Sequence, residues 1–394
     1  MSVVEQLPIT SPDSEKLTGI ERKEIKTKSW LHNPALKLGA LGLALTTAGY
    51  WGGVVVNQNV QKEAEITVNE IAGPLDSIND NSAIIFFDGF ATYDADTITQ
   101  YLGPASQHIT DGDLWSISYG NAPLDEKVIS NKIVTLAEKL GVTHVTIEGQ
   151  SMGGNVGTKV ASILYNYTDL VVDRIGLRHT PDGVDGLEPE SKAQYDFMEV
   201  LSAIPGAKYS NAVRTIGEMV IHQDRYNGSD SNKPDTLEQR AKDFTETWND
   251  TQYSLENPEL PGMWLMSDQL FALADADIKT SLKTIAESDS DKPKPVITYT
   301  QAPEGTDRVV NNQYSATNIC ADVQELDMQC FVNTVEDPHF SHENPYNSAP
   351  AYNELALSTA PILQKAIEKE QNIAKLGLFL FSQDDTFLVN PNKY

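Results

Sequence analysis

The sequence has few cysteines and few basic residues, and each shortage excludes a class of protein. Of 394 residues only Cys320 and Cys330 are cysteines, and no cysteine–histidine spacing is typical of a zinc site. Lysine and arginine number 29 against 56 aspartate and glutamate residues, giving a net charge of −27. Because nucleic acids and polyanionic substrates need basic surfaces, neither is expected as a partner. No phosphate-binding loop of the G-x-x-x-x-G-K type occurs either.

Long apolar runs are also scarce, and one of them is long enough to cross a bilayer. Residues 38–56 carry no charged side chain, and at 1.5 Å per residue a helix of this length could span a membrane. Six basic residues lie in the preceding segment 1–37, whereas Lys62 is the only one in the 20 residues that follow. The positive-inside rule therefore predicts a cytoplasmic tail over 1–37, a transmembrane helix over 38–56, a polar stalk over 57–80 and an exported remainder.

Two other interpretations of the apolar run remain open. It could be a buried core helix, or the hydrophobic part of a cleaved signal peptide with a small-residue site at Thr46-Thr47-Ala48. Export would place Cys320 and Cys330 in an oxidising compartment, where a disulfide closing a short loop is plausible. Two unpaired thiols are the alternative.

The most informative stretch runs from Val142 to Thr158 and contains the pattern G-x-S-x-G at residues 149–153. Its first half is rich in β-branched residues and predicts a strand, and its second half opens a helix. A sharp strand-to-helix turn would hold Ser151 on a strained corner with its hydroxyl exposed. A side chain at Gly149 or Gly153 would collide with neighbouring backbone there. The pattern predicts a nucleophile, although an ordinary strand–turn–helix connection is the simpler alternative.

This stretch resembles the nucleophile elbow of the α/β-hydrolase family, which often reads G-H-S-M-G-G, with Gln150 standing where a His is common. The resemblance covers about residues 80–180 and 290–370. It implies an α/β fold with a mostly parallel sheet flanked by helices, carried by residues 81–180 and 291–394. Residues 181–290 interrupt the β/α alternation with helical stretches and resemble the helical cap that the family inserts over its site.

Strand and helix patterns agree with that division. A helix is expected over 125–140, and a closing helix over 350–369, followed by a strand or flap within 370–394. Strands are expected at 83–87, 114–120, 142–147, 170–177, 295–300 and 330–335, and cap helices at 191–203, 210–221, 236–248 and 266–286.

The resemblance also implies catalytic residues. Asp307, followed by Arg308 and two valines, matches the family's acid loop, with Asp182 as the alternative acid. Only His339 and His342 follow the acid, so the chain order Ser, Asp, His admits either as the base. His339 is preferred from its distance past the last strand, and His342 is the alternative because it lies nearer the final helix.

The backbone N–H groups of Phe90 and Met152 are expected to form the oxyanion hole. The family's loop after the first strand commonly begins with His, where this chain has Asp88. Since the donors are backbone groups, that difference does not remove them.

A Ser-His-Asp triad predicts a membrane-anchored serine hydrolase that cleaves an ester of a small acyl substrate, with no metal or organic cofactor. The same triad could serve an acyltransferase or a peptidase. A catalytically inactive, membrane-tethered binding module on the same fold is the third interpretation.

Overall fold

The computed structural model describes residues 65–75, 81–90, 92, 94–120, 123–203, 205–207, 210–221, 236–256, 263–342 and 344–384. The tail and transmembrane helix predicted for residues 1–56 lie outside these ranges. Among the helices that are described, none combines the length and the apolarity needed to cross a bilayer.

The described residues form one seven-stranded sheet in the order β1-β3-β2-β4-β5-β6-β7. Strand β1 is antiparallel to β3, and every other neighbouring pair is parallel. The predicted mostly parallel sheet flanked by helices is therefore confirmed. The strands are β1 (Thr67–Ala72), β2 (Ser82–Phe87), β3 (Asp113–Ser118), β4 (His144–Gln150), β5 (Val171–Arg178), β6 (Val296–Gln301) and β7 (Cys330–Thr334).

Helices connect the parallel strands and cover both faces of the sheet. The α-helices are α1 (Asp96–Gln107), α2 (Glu126–Leu140), α3 (Met152–Tyr167), α4 (Pro189–Ser202), α5 (Asn211–Ile221), α6 (Leu237–Glu256), α7 (Met263–Ala274), α8 (Ile278–Ala286), α9 (Asn312–Glu325) and α10 (Ala349–Asp384).

Strand β2 shows why its sequence is apolar without alternation. Ile85 and Phe87 belong to a core shared with α2 and α3, whereas Ile84 and Phe86 belong to a second core shared with α1 and α10. Successive side chains of a strand point to opposite faces, so a strand covered on both faces must be apolar throughout.

Helix α2 begins where its sequence indicates, with the Asp125 carboxylate accepting from the N–H groups of Lys127 and Val128.

Two elements before the elbow correct the sequence predictions. Residues 67–72 lie within the predicted stalk, 57–80, but form the edge strand β1, because their backbone pairs with β3 from Thr67 opposite Ser118. Helix α1 was not expected between the first two core strands. Its Gly103 and Pro104 are poor helix formers, and the packing of Ile98 and Leu102 against the sheet outweighs them.

The predicted cap region, 181–290, contains α4 to α8. Helix α8 places Ile278, Leu282 and Ile285 in the same apolar cluster as α3, and helices α4, α5 and α7 also contribute buried residues to that cluster. The cap boundary at 290 therefore stays a prediction. The continuous helix expected over 266–286 is divided between α7 and α8, with Asp277 capping α8 through the Thr280 N–H.

The C-terminal part of the described chain is also helical. Helix α10 extends past the predicted end at residue 369 to Asp384, so a strand or flap does not begin at residue 370. A disulfide joins Cys320 in α9 to Cys330 at the start of β7, with 5.5 Å between the Cα atoms. Of the two alternatives that the sequence left open for the cysteines, the structure contains the bond.

Replacing both cysteines, as Cys320→Ser/Cys330→Ser, is expected to lower the free energy of unfolding by about 3 kcal/mol, because a short cross-link restricts the unfolded chain. Equilibrium urea unfolding of the double variant and of oxidised wild-type protein measures the difference. Equal unfolding midpoints would mean that the bond contributes nothing to stability.

Candidate active site

The elbow between β4 and α3 holds Ser151 in a strained backbone conformation. Ser151 has φ 52° and ψ −130°, a region that residues other than glycine rarely occupy. Its N–H donates to the Arg178 carbonyl on the neighbouring strand at 2.8 Å. The turn is tight: a Cβ on Gly149 would lie 2.3 Å from the Gly154 Cα, and one on Gly153 would lie 2.4 Å from the Phe87 carbonyl oxygen. The predicted steric need for both glycines is confirmed.

His342 is the histidine that reaches the elbow. Its Nε2 lies 2.9 Å from the Ser151 Oγ, and its Nδ1 lies 2.9 Å from the Asp307 Oδ2. The side chain is only 9% exposed. Ser151 and Asp307 are 156 residues apart in sequence, and Asp307 and His342 are 35 residues apart. The three side chains nevertheless form one continuous hydrogen-bonded chain.

The preference for His339 is corrected by this geometry. His339 is exposed, and its backbone N–H donates to the Asp337 carboxylate at 2.8 Å, which fixes a turn after β7. The following residue, Phe340, is buried and its ring lies 4.3 Å from that of His179. Anchoring of Phe340 in the interior carries the chain onward, so that His342 and not His339 faces Ser151.

Four groups contact the Asp307 carboxylate. Its Oδ1 accepts the N–H groups of Val309 and Val310 at 2.8 and 3.0 Å. Its Oδ2 accepts the Asn312 amide at 2.7 Å and faces His342. Burial acts to raise the pKa of Asp307, but the His342 ring and these donors outweigh burial and hold the pKa below its ordinary value. The carboxylate is therefore ionised beside His342.

A buried polar chain continues beyond the aspartate. The Asn312 Oδ1 lies 3.2 Å from the His179 Nδ1, and the His179 Nε2 lies 2.5 Å from the Tyr352 hydroxyl. The tautomer that satisfies both contacts carries its proton on Nδ1, since the tyrosine hydroxyl donates to Nε2. Donors and acceptors then alternate in one direction from Tyr352 to Asp307. This arrangement holds Asn312 so that its amide faces the carboxylate.

His179 is completely buried, and burial lowers its pKa to about 3 against the opposing effect of Asp307, while His342 and Arg178 lower it further. The ring is neutral in the folded protein, whereas a histidine in an unfolded chain titrates near 6.5. Stability supplied by the neutral ring is therefore fully present above pH 6.5 and is lost as the pH falls toward 3.

We expect the free energy of unfolding to fall by about 2 kcal/mol between pH 7 and pH 5 from His179 alone. His179→Asn removes the titrating ring and keeps a residue that tolerates the positive φ of 47° found there. Urea unfolding at both pH values should therefore show a smaller pH dependence in the variant. If the free energy of unfolding had the same pH dependence in wild type and in His179→Asn, that dependence would come from other groups.

The loop after β2 lies against the elbow. A Cβ on Gly89 would lie 3.1 Å from the Ser151 Cβ, so the Gly89 backbone touches the serine and the next N–H, that of Phe90, follows directly. Met152 is the first residue of α3, whose N-terminal N–H groups have no partner within the helix. Both expected oxyanion donors therefore come from segments adjacent to Ser151.

Asp88, which stands where the resembling family commonly has His, helps to shape this loop. Its carboxylate accepts the Gly89 N–H at 2.7 Å, and its carbonyl accepts the Tyr119 hydroxyl at 3.0 Å. Burial raises the pKa of Asp88 to about 6, with the Gly89 N–H acting in the opposite direction. The replacement thus supplies a turn contact of its own.

The remaining candidates lie elsewhere. The Asp182 N–H donates to the Ser315 hydroxyl at 3.1 Å, and the Asp182 carboxylate bonds to Asn318. The carboxylate that contacts His342 is that of Asp307 and not this alternative acid. His144 lies at the start of β4, where it contacts Asp173 at 2.9 Å. Among the described residues, no group of three or more His, Cys, Asp or Glu side chains could hold a metal ion.

Sequence reasoning missed His179, Asn312 and Tyr352. The one local signal for them was the position of Asn312, five residues after the expected acid, since a short polar side chain there can turn back to a carboxylate. His179 and Tyr352 are 173 residues apart and carry no shared pattern.

The mostly parallel sheet with helices on both faces, and the strained serine between β4 and α3, together define an α/β-hydrolase fold. No family model matches the sequence, and no curated protein is similar to it. Solved structures with a similar fold include esterase E22, with 11% identity and a TM-score of 0.49, over 77% of this chain and 100% of that one. An α/β hydrolase, MGS-M2, from a deep-sea metagenome library of the Medee basin, has 14% identity and a TM-score of 0.46, over 75% and 94%. An esterase from Exiguobacterium antarcticum has 13% identity and a TM-score of 0.44, over 76% and 96%. The topology and elbow of the chain itself, and not these likenesses, define its fold.

Proposed function

We propose that this chain is a serine hydrolase that cleaves an ester through a Ser151–His342–Asp307 triad and an acyl-enzyme. The observation that carries the proposal is the pair of 2.9 Å contacts that His342 makes with Ser151 and Asp307. A serine hydroxyl is a weak nucleophile until a neighbouring base accepts its proton, and these contacts supply that base in position.

In the first step, the Ser151 Oγ attacks the acyl carbonyl while the His342 Nε2 takes its proton. Asp307 accepts the Nδ1–H, which keeps Nε2 free to accept and stabilises the imidazolium. His342 then protonates the leaving alcohol as the bond to the acyl carbon breaks. Water attacks the acyl-enzyme by the same route, with His342 again taking the proton, and releases the acid and the free serine.

The N–H groups of Phe90 and Met152 would hold the oxyanion in both steps. Preorganised donors of this kind typically contribute a factor of about 100 or more each. The start of α3 adds the positive end of its dipole on the same side of Ser151.

Labelling by a fluorophosphonate probe, with the modified peptide identified by mass spectrometry, tests the nucleophile. The folded protein should be labelled at Ser151, and heat-unfolded protein should not. His342→Ala should abolish labelling and the matched His339→Ala should retain it. Folded protein that resists the probe, beside a control hydrolase that reacts, would instead favour the inactive binding module. A panel of acyl esters, amides and acceptor alcohols then separates esterase from peptidase and acyltransferase.

We also propose that residues 38–56 anchor the protein in a membrane with the catalytic domain exported. The charge asymmetry around that segment supports this, and so does the Cys320–Cys330 disulfide, since such bonds persist in oxidising compartments. Protease added to intact cells should remove the catalytic domain and leave the tail protected. Protection of the whole chain would contradict this topology.

A further inference from the structure

The loop after β2 contains one peptide group that lies beside the serine. The carbonyl of Gly89 and the N–H of Phe90 belong to this peptide, and because it is planar and trans the two groups point in opposite directions. A Cβ on Gly89 would lie 3.6 Å from the Ser151 Oγ. Any contact that fixes the Gly89 carbonyl therefore also fixes the direction of the expected oxyanion donor, the Phe90 N–H.

The Gly89 carbonyl is held by a side chain three residues further along the chain. The Thr92 hydroxyl donates to this carbonyl at 2.7 Å. On its other side, the Gly89 N–H donates to the Asp88 carboxylate at 2.7 Å. Both peptides that flank Gly89 are thus fixed by side chains of the same loop, and the Phe90 N–H is directed away from the Thr92 hydroxyl.

Thr92 is itself held by a helix of the predicted cap region. Gln269 on α7 donates its side-chain amide to the Thr92 carbonyl at 3.0 Å, although the two residues are 177 positions apart. Gln269 is completely buried, and its helix is anchored in the interior by residues such as Leu265, which is also completely buried. Two hydrogen bonds through Thr92 therefore connect α7 to the peptide beside Ser151.

We propose that Thr92 and Gln269 are positioning residues that orient the Gly89–Phe90 peptide for stabilisation of the oxyanion. The proposal rests on the proposed hydrolase function, in which the Phe90 N–H is one of two donors. Oxyanion donors are effective because they are aimed in advance at the place where charge develops. A displacement of about 1 Å can lower the rate by a factor of about 100. Helix α7 thereby contributes to the chemical step through a contact outside the triad.

Thr92→Val removes the hydroxyl at nearly constant side-chain volume and leaves Gln269 unchanged. We expect it to lower kcat for a chromogenic ester by on the order of 100-fold with little change in KM, because the oxyanion forms only after the substrate has bound. Thr92→Ser keeps the hydroxyl and should retain kcat within a few fold of wild type. Gln269→Met keeps the length of the side chain without its donor and should lower kcat by on the order of 10-fold. Since both changes act on one peptide, the double variant should lose less than the product of the two losses.

Ser267→Ala is the matched control on the same helix. The buried Ser267 hydroxyl lies 3.4 Å from that of Ser202 in α4, so it connects α7 to another helix and not to the loop after β2. This variant should retain kcat within a few fold of wild type. An equal loss of kcat in Ser267→Ala and Gln269→Met would mean that α7 acts only through general stability, which would overturn the proposal. Thr92 is only half-buried, so Thr92→Val tests the same peptide even if Gln269→Met does not fold.

Inhibition by a trifluoromethyl ketone isolates the oxyanion. The Ser151 Oγ adds to the ketone carbon, the serine proton passes to the His342 Nε2, and the ketone oxygen becomes an oxyanion as in the transition state. The inhibition constant of Thr92→Val should rise by the factor by which its kcat/KM falls. The pH dependence of kcat/KM should stay the same, because the triad is intact in this variant.

The outcomes separate this role from the hydrolase function itself. If wild-type protein is active and Thr92→Val has an unchanged inhibition constant, the positioning role is overturned and the hydrolase function stands. If wild-type protein shows neither ester hydrolysis nor fluorophosphonate labelling, both are overturned.

Discussion

His342→Ala is expected to lower kcat for ester hydrolysis by on the order of 10⁶, and Ser151→Ala should lower it as much. The reason is that His342 and Ser151 act as one unit through the 2.9 Å contact between Nε2 and Oγ. Without the base the hydroxyl keeps its proton, and without the hydroxyl the base has nothing to activate. The double variant should therefore lose no more activity than either single variant. Initial rates with a chromogenic ester measure all three.

His339→Ala is the matched control, because it removes the same side chain three residues earlier from the same loop. It should keep kcat within a few fold of wild type, since His339 is exposed and its contact with Asp337 uses the backbone N–H. If His339→Ala removed activity and His342→Ala did not, the base would be His339 and the loop would take another path during catalysis.

The elbow was predictable from the sequence because its constraints are local. The β-branched run, Gly149, Ser151 and Gly153 lie within 12 residues, and each has a steric reason that holds wherever a strand turns sharply into a helix. The parallel sheet followed from apolar runs such as β2, which need no knowledge of their partners. Asp307 was found by its loop pattern, and the structure places it where His342 can contact it.

The choice between the two histidines was not predictable in the same way. Both histidines follow β7 within one loop, and either one satisfies the chain order Ser, Asp, His. What separates them is the burial of Phe340 against His179, a contact between residues 161 positions apart. No local pattern reports which of several aromatic residues becomes the anchor of a loop.

Edge and polar elements were missed for a related reason. Strand β1 has three residues exposed and none buried, so its pairing with β3 leaves no apolar pattern in the sequence. The Glu148–Arg174–Arg178 cluster lies on strands whose other face is apolar, and its charges are stable only because the strands lie side by side. Arrangements that depend on the assembled sheet become visible only in the structure.

Asp307→Asn is expected to lower kcat by on the order of 10⁴ with little change in KM, because an amide at this position must place a donor where the structure requires an acceptor. The Oδ1 accepts two fixed backbone N–H groups, from Val309 and Val310. The amide nitrogen would therefore take the Oδ2 position, where it faces both the Asn312 amide nitrogen and the His342 Nδ1. The ring would then carry its proton on Nε2, the tautomer that cannot accept from Ser151.

Measuring kcat and KM together with the midpoint of urea unfolding separates this effect from a loss of folding. A wrong tautomer lowers kcat and the rate of fluorophosphonate labelling together, whereas misfolding lowers the labelled fraction. Asp182→Asn is the matched control, since it makes the same change at the alternative acid, which lies beside Ser315. A large loss in Asp182→Asn with a small loss in Asp307→Asn would exchange the two roles, and it would require His342 to leave the carboxylate it contacts in the folded protein.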